Sequence, residues 1–222
     1  MGLAKDILLK PITAQQANEL VRRVHYSGKV VNNSQVHIGV FYRGRLEGAM
    51  QFGPSLDKRK IMGLVEGTGW NEFIELNRMA FSDVLPRNSE SRALGIAFRI
   101  LKKHAPHLKW IVSFADATQC GDGTIYRAAG FVLTGIKNNA GTYKLPSGEV
   151  CNVVTFGKCH YALAQNGSAA GGKMLKSMGA VKSKGFQLRY IYFLDPTARE
   201  RLIVPIIPFA EIEKRGASMY KG

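Results

Sequence analysis

The segment from Arg92 to His104 constrains the fold more than any other. Leu94, Ala97, Phe98 and Leu101 recur on one helical face, Pro86 to Glu90 breaks what precedes them, and Pro106 stops the helix. Upstream, Phe73 to Phe81 alternates as a strand does, and downstream Trp110 to Ala115 reads as a buried strand. Gly123 to Ala129 is then a short helix ended by Gly130, and Phe131 to Ile136 is another strand. The core order is therefore strand, helix, strand, helix, strand, which predicts an α+β domain with helices flanking a mixed central sheet.

The flanking segments extend that sheet. Ile7 to Leu9 is a short strand before Pro11, and Thr13 is the N-cap of a helix that aligns Ala17, Leu20, Val21 and Val24. Gln35 to Tyr42 and Arg45 to Phe52 are strands joined at Arg43-Gly44, so they should pair as a hairpin. Ser55 to Trp70 reads as a glycine-rich loop with a basic tip, Lys58-Arg59-Lys60. A second hairpin should join Thr142–Leu145 to Val150–Phe156, turning at Pro146-Ser147-Gly148. Ala164 to Gly172 is a linker or a mobile loop, Phe186 to Leu194 is strongly β-forming, and Leu202 to Phe209 is apolar and punctuated by proline. The expected division is 1–163 for the sheet domain and 164–222 for a linker and a basic, aromatic β extension packing on the same domain.

Lysine and arginine number 31 against 16 acidic residues in 222, a formal charge of +15. An excess this large points to a polyanionic partner, nucleic acid ahead of membrane. No apolar run is long enough to span a bilayer and the first ten residues lack the apolar core of a signal peptide, so a soluble, cytoplasmic protein is expected. Cys120, Cys151 and Cys159 have no CxxC spacing and read as reduced thiols. His25, His37, Cys120 and the carboxylates could gather a metal in space, but no ligand spacing announces one.

Arg92-Ala93-Leu94-Gly95-Ile96-Ala97 resembles the (Gln/Arg)-x-x-Gly-x-(Gly/Ala) pattern that opens the central helix of GNAT-type acyltransferases. A strand feeding a helix N-terminus offers free N–H groups to a pyrophosphate or another anion, and Gly95 and Ala97 keep bulk away from it. Arg92, Gly95 and Ala97 are therefore the expected donor-binding residues. Gly123 to Gly135 is similar to a second GNAT signature, a tyrosine in a short helix followed by Gly-Phe at the next strand. Together the two imply a GNAT fold, in which the central parallel strands splay and the reactive end of the donor enters the gap.

Polar residues fall at that gap. Asn77 and Arg78 stand in an otherwise apolar strand, Asp116 lies just past the opposite one, and Tyr126 follows on the short helix. An Arg–Asp pair there is either a buried ion pair or part of a catalytic site; Tyr126 is either core packing or a participant. Leu76-Asn77-Arg78, Phe114-Ala115-Asp116, Ile125-Tyr126-Arg127 and Leu188-Arg189-Tyr190-Ile191-Tyr192-Phe193-Leu194-Asp195 resemble the Mom family of Mu-like phages, over roughly Ile7 to Pro196. The resemblance implies a phage- or prophage-encoded enzyme that converts adenine N6 in DNA to a carbamoylmethyl derivative and hides the DNA from restriction.

On that resemblance Arg78, Asp116 and Tyr126, with Asn77 beside them, are the expected catalytic residues. Adenine N6 is a weak nucleophile, so positioning and proton removal matter. Asp116 is the candidate base or N6 orienter. Arg78 could neutralise charge on a donor carbonyl or fix the Asp116 carboxylate, and Tyr126 could protonate the leaving group or stack on the base. The base must leave the duplex stack to reach such a cleft. Carbamoylmethyl is an alkyl attachment that plain acetyl transfer cannot make in one step. The donor is therefore either an acyl-CoA followed by other chemistry or a glycine-derived, aminoacyl-tRNA-type molecule. Iron is conceivable from the resemblance and nothing in the residues supports it.

Lys173, Lys176, Lys182, Lys184 and Arg189, interleaved with Phe186, Tyr190, Tyr192 and Phe193, suit a phosphate-tracking arm beside a stacking surface. Lys182, Lys184, Arg189 and Tyr190, with Lys58, Arg59 and Lys60, are the expected DNA contacts of a monomer or homodimer. His25-Tyr26-Ser27-Gly28 is a further candidate for the DNA side. The competing readings are a GNAT acetyltransferase for a protein or small-molecule amine and a non-catalytic DNA-binding module.

Overall fold

The computed structural model describes residues 3–117, 121–139, 141–153, 156 and 167–217. Its centre is a seven-stranded sheet of β1 (Leu8–Pro11), β2 (Val36–Tyr42), β3 (Arg45–Gly53), β4 (Phe73–Phe81), β5 (Trp110–Asp116), β6 (Val132–Asn138) and β10 (Phe186–Phe193). The strand order is β1-β2-β3-β4-β5-β10-β6. Every neighbouring pair is antiparallel except β4 and β5. The β2–β3 hairpin turns at Arg43 and Gly44, both at positive φ (49° and 78°), which matches the twist of the strands it joins.

One face of the sheet carries α3 (Ser89–His104), whose Leu94, Ala97, Phe98 and Leu101 are buried against Met50, Phe52, Ile74 and Ile111. The other carries α1 (Ala14–Val24), which buries Ala17 and Leu20 on Ala49. Thr13 caps α1 as expected: its hydroxyl accepts from Gln16 N while the Gln16 side chain accepts from Thr13 N. Helix α3 begins three residues before Arg92. Pro86 stays outside it, Asn88 takes a left-handed conformation (φ 69°), and Ser89, Glu90 and Ser91 form the first turn.

Three further expectations are corrected. Lys58-Arg59-Lys60 is not a loop tip but opens α2 (Lys58–Met62), because the Asp57 carboxylate caps Lys60 N at 3.3 Å. Of the expected linker, 164–166 lies outside the described residues, and the rest opens a helix, Gly167–Ser177. That helix follows α4 (Thr124–Ala128) and is α5; Leu175 pins it to Tyr143, Cys151 and Ala180. Gly171 lets that helix approach closely: a Cβ there would stand 3.1 Å from the Val153 carbonyl. Finally, β10 is not a peripheral extension. It lies between β5 and β6, so a boundary at 163/164 would cut through the sheet.

The β6–β10 connection carries a small lobe. The hairpin of β7 (Thr142–Lys144) and β8 (Val150–Asn152) is joined by β9 (Val181–Lys182) in a sheet of order β8-β7-β9, with α5 beside it. The tail ends in α6 (Thr197–Glu200) and α7 (Ala210–Lys214). Among the described residues no helix is long and apolar enough to cross a membrane.

Candidate active site

Strands β4 and β5 pair only from Phe73/Trp110 to Glu75/Val112. Beyond that they separate, and the Ser113 hydroxyl donates to the Leu76 carbonyl at 3.3 Å where the backbone ladder ends. On the other side of β4, Gln51 is paired with Arg78 but Phe52 with Leu76, so Asn77 is an extra, bulged residue. The bulge explains two polar residues in succession: it re-aims Asn77 and Arg78 at the place where the parallel strands open.

Each is held from outside β4. The Asn77 side-chain oxygen accepts from the Ser34 hydroxyl at 3.1 Å, and Gly53 is packed against it. Arg78 Nε donates to the Lys29 carbonyl at 3.0 Å, and Nη1 donates to the Asn77 carbonyl at 2.8 Å. Burial works against the arginine's charge, and Tyr26, Glu75 and Tyr126 work to keep it. Glu75 is also half-buried, and the loss of solvent pushes its carboxyl up, with Ser55, Asn77 and Arg78 opposing the shift. The carboxylate that acts on Arg78 is thus Glu75, which sequence reasoning missed because a glutamate in an alternating strand reads as solvent-facing.

His25 and Tyr26 also belong here, not simply to a DNA-facing surface. Their rings lie 4.3 Å apart, and Tyr26 remains half exposed. Burial, and then the positive charge of Arg78, pull the His25 imidazole down to about 4. Ser27 N donates to His25 Nδ1 at 3.2 Å, so the neutral ring carries its proton on Nε2. This neutral histidine has a measurable consequence. An unfolded chain binds a proton at His25 below its ordinary value of 6.5 and the folded chain only below about 4. Stability from this group is complete above pH 6.5 and falls as the pH drops toward 4. The urea midpoint should decline across that window and decline less in His25→Gln; identical profiles would remove His25 as the cause.

Tyr126 lies on α4 with its ring 5.2 Å from both Phe131 and Tyr190. The Tyr190 hydroxyl donates to the Asp122 carbonyl and fixes the loop that enters α4. Gly123 of that loop has φ 80°, and a Cβ there would meet the Tyr190 ring at 2.5 Å. Asp116 ends β5, in register with Gln187. Strand alternation gives it the face of Val112 and Phe114, opposite α3, which is also the face of Arg78 through its partner Gln51 and the Gln51–Asn18 hydrogen bond. Asn77 and Arg78 thus meet at the strand opening, with Tyr126 near enough to act on the Arg78 charge and Asp116 at the end of the facing strand.

The expected donor residues divide. Arg92 and Gly95 line a recess of about 450 Å³ with Lys5, Asn88, Ser91 and Arg99, and Gly95 offers it an open face. Ala97 does not: it is fully buried in the core beneath α3. The early helix start puts Gly95 well inside α3, so the helix N-terminus belongs to Ser89–Ser91. A second recess of about 350 Å³ runs from there between Ser82, Asp83, Thr124 and Ile125.

Among the expected DNA contacts, Tyr190 is fully buried and cannot stack on a base. Arg189 is tied to β6, Nε to the Thr134 hydroxyl at 3.0 Å and Nη2 to its carbonyl at 2.7 Å, so part of its guanidinium is committed within the sheet. Lys58 sits 4.5 Å over the half-exposed Trp70 ring. Arg59, Lys60, Lys182 and Lys184 are exposed. Cys151 is a buried thiol pushed up by burial, and Cys120 and Cys159 lie outside the described residues. Among the described residues no group of three or more His, Cys, Asp or Glu side chains gathers to hold a metal.

Parallel strands that part around a polar cluster, with a cationic recess at the start of the central helix, define a GNAT-type transferase fold. The fold is similar to that of NAA60 from Arabidopsis thaliana, solved with a bisubstrate analogue, at a TM-score of 0.52 and 11% identity over 84% of this chain and 97% of that one. The model of the Mom protein family matches residues 6–211. Over 200 residues the chain is 34% identical to Methylcarbamoylase mom of Escherichia phage Mu, covering 90% of this chain and 80% of that protein. The chain belongs to the Mom protein family.

Proposed function

We propose that this protein is a methylcarbamoylase that places a carbamoylmethyl group on adenine N6 in double-stranded DNA and so protects phage DNA from restriction. The observation that carries the reading is the half-buried Arg78, held by the Lys29 and Asn77 carbonyls at the strand opening of a Mom-family chain. Arg78, half-buried and latched by two carbonyls, is a fixed positive charge at the place where charge develops on the donor. Tyr126 supplies a proton to the leaving group. Asp116 orients N6 and takes its proton, and Asn77 holds the bulge that aims Arg78.

The GNAT fold implies a coenzyme A-type donor, and the residues fit its phosphates: Lys5, Arg92 and Arg99 bring three positive charges around the open face of Gly95. When bound, such a donor supplies an activated acyl carbon. A glycine-derived donor on tRNA presents the same phosphate chemistry to the same recess and supplies the nitrogen as well. Transfer of its acyl carbon to N6, with release of the tRNA hydroxyl, gives the isomeric glycyl amide, and a rearrangement must follow to leave the N6–CH2 bond.

The test is mass spectrometry of nucleosides from plasmid DNA after expression in bacteria. A deoxyadenosine heavier by one carbamoylmethyl group is expected from the wild type. Its yield should fall on the order of a hundredfold in Asp116→Asn, with DNA affinity within a few fold. Unchanged DNA, with acetyl-CoA consumed in the presence of amines, would support a small-molecule or protein acetyltransferase instead.

A further inference from the structure

The small lobe adjoins the site at two points. Its root is Gly185, whose carbonyl accepts from Asn139 N at 2.8 Å, and the next residue, Phe186, accepts from Ala117 N, directly after Asp116. Its sheet is reached by Lys29: the Lys29 carbonyl holds Arg78 Nε, while its ammonium donates to the Val150 carbonyl at 3.4 Å. Arg78 and β8 are thus connected through one residue.

From Val150 the cations continue outward. Tyr143 and Cys151 turn inward onto Leu175, so alternation puts Lys144, Val150 and Val181 on the outer face of the small sheet. Lys144 is opposite Val150 on one side and opposite Val181 on the other. Val181 is 71% exposed; Lys182, paired with Tyr143, leaves β9 on the other side from Lys144, and it and Lys184 are both exposed at that edge of the small sheet. Between Asn139 and Gly185 the chain has six lysines and one acidic residue, Glu149. Lys29, Lys144, Lys182 and Lys184 make no ion pair among the described residues.

We propose that the exposed cations of this lobe, running from Lys29 at the β8 edge past Lys144 to Lys182 and Lys184 at the β9 edge, form a backbone track for duplex DNA, holding the strand beside the flipped adenine. The inference rests on the DNA-modifying reading above. Exposed lysines leading away from the catalytic arginine suit phosphates arranged along one strand, and a flipped base needs its flanking phosphates held while it is out of the stack. Contacts to phosphates carry no sequence information, so the contribution of these lysines should be independent of sequence.

The experiment compares the wild type with Lys29→Gln/Lys144→Gln/Lys182→Gln/Lys184→Gln, by fluorescence anisotropy on a short labelled duplex over a salt series. All four side chains are exposed, so an unchanged thermal midpoint is expected and is checked first; the single change Lys144→Glu serves if the quadruple variant unfolds. Affinity should fall by about tenfold or more, and the slope of log K against log salt should become shallower by about 3–4. Lys102→Gln/Lys103→Gln, on the last turn of α3 across the sheet, should change the slope by less than about 1. A quadruple variant with wild-type affinity and slope overturns the track, as does a loss confined to tRNA. If the slope falls as expected but wild-type protein yields no modified deoxyadenosine, the track stands and the reaction assignment fails.

Discussion

Replacing Arg78 with glutamine is expected to lower adenine modification by on the order of 10²–10³-fold and to raise the pKa of His25 at the same time. The first effect follows from removing a fixed charge that cannot be replaced by water in a half-buried opening. The second follows because Arg78 is one of the two causes of the depressed His25 value. Burial is the larger cause and remains, so the His25 value should rise only part of the way toward 6.5. The acid-side window of lost stability should therefore narrow from its low-pH end. Nucleoside mass spectrometry reads the first effect and urea unfolding across pH 4–6.5 reads the second. A shifted histidine with unchanged product would leave Arg78 as a strut between β4 and Lys29 and remove it from the chemistry.

The change of Gly53 to alanine should be among the most damaging small substitutions. A Cβ there would lie 2.4 Å from the Asn33 carbonyl, 2.7 Å from the Asn77 side-chain oxygen and 2.8 Å from Ser34 Cα. Two of these are backbone atoms that cannot rotate aside, so β3 or the 33–34 segment must move. A cost of about 3 kcal/mol, the upper part of the overpacking range, is expected as a lower urea midpoint at unchanged slope. Because the displaced atoms include the partners of Asn77, modification should fall further than stability alone explains at temperatures where the variant is folded. Full activity in a stably folded Gly53→Ala would show that the Ser34–Asn77 hydrogen bond does not position the site.

Much of the fold was legible because it is written in local periodicity. The apolar face of α3, the Arg43-Gly44 turn and the Thr13 cap each follow from spacing within a few residues. The seat of β10 does not, since a strand's own alternation says which of its faces are covered, never which strands flank it. Arg189 and Tyr190 show the same limit: their types suit DNA, but only the register with β5 and β6 turns one onto Thr134 and the other into the core. At the site, Asn77-Arg78 was conspicuous because a bulge breaks alternation. Glu75 kept the alternation and stayed hidden, and His25 was separated from Arg78 by the whole β2–β3 hairpin. Lys58 to Lys60 and the Gly167–Ser177 helix were misread for a common reason: composition records flexibility and charge, whereas a single cap or one buried leucine decides the helix.

The position of β10 also governs when this protein can exist. The strand is made late and belongs between two strands made earlier, so a growing chain on the ribosome carries β5 and β6 with their facing edges unmatched until Phe193 has emerged. Until then Asp116 and Tyr126 have no rigid support. A chain cut short before that point has open edges that invite aggregation or proteolysis. Translation must therefore pass β10 before this protein can work: the site's supporting sheet closes only once that strand has been made.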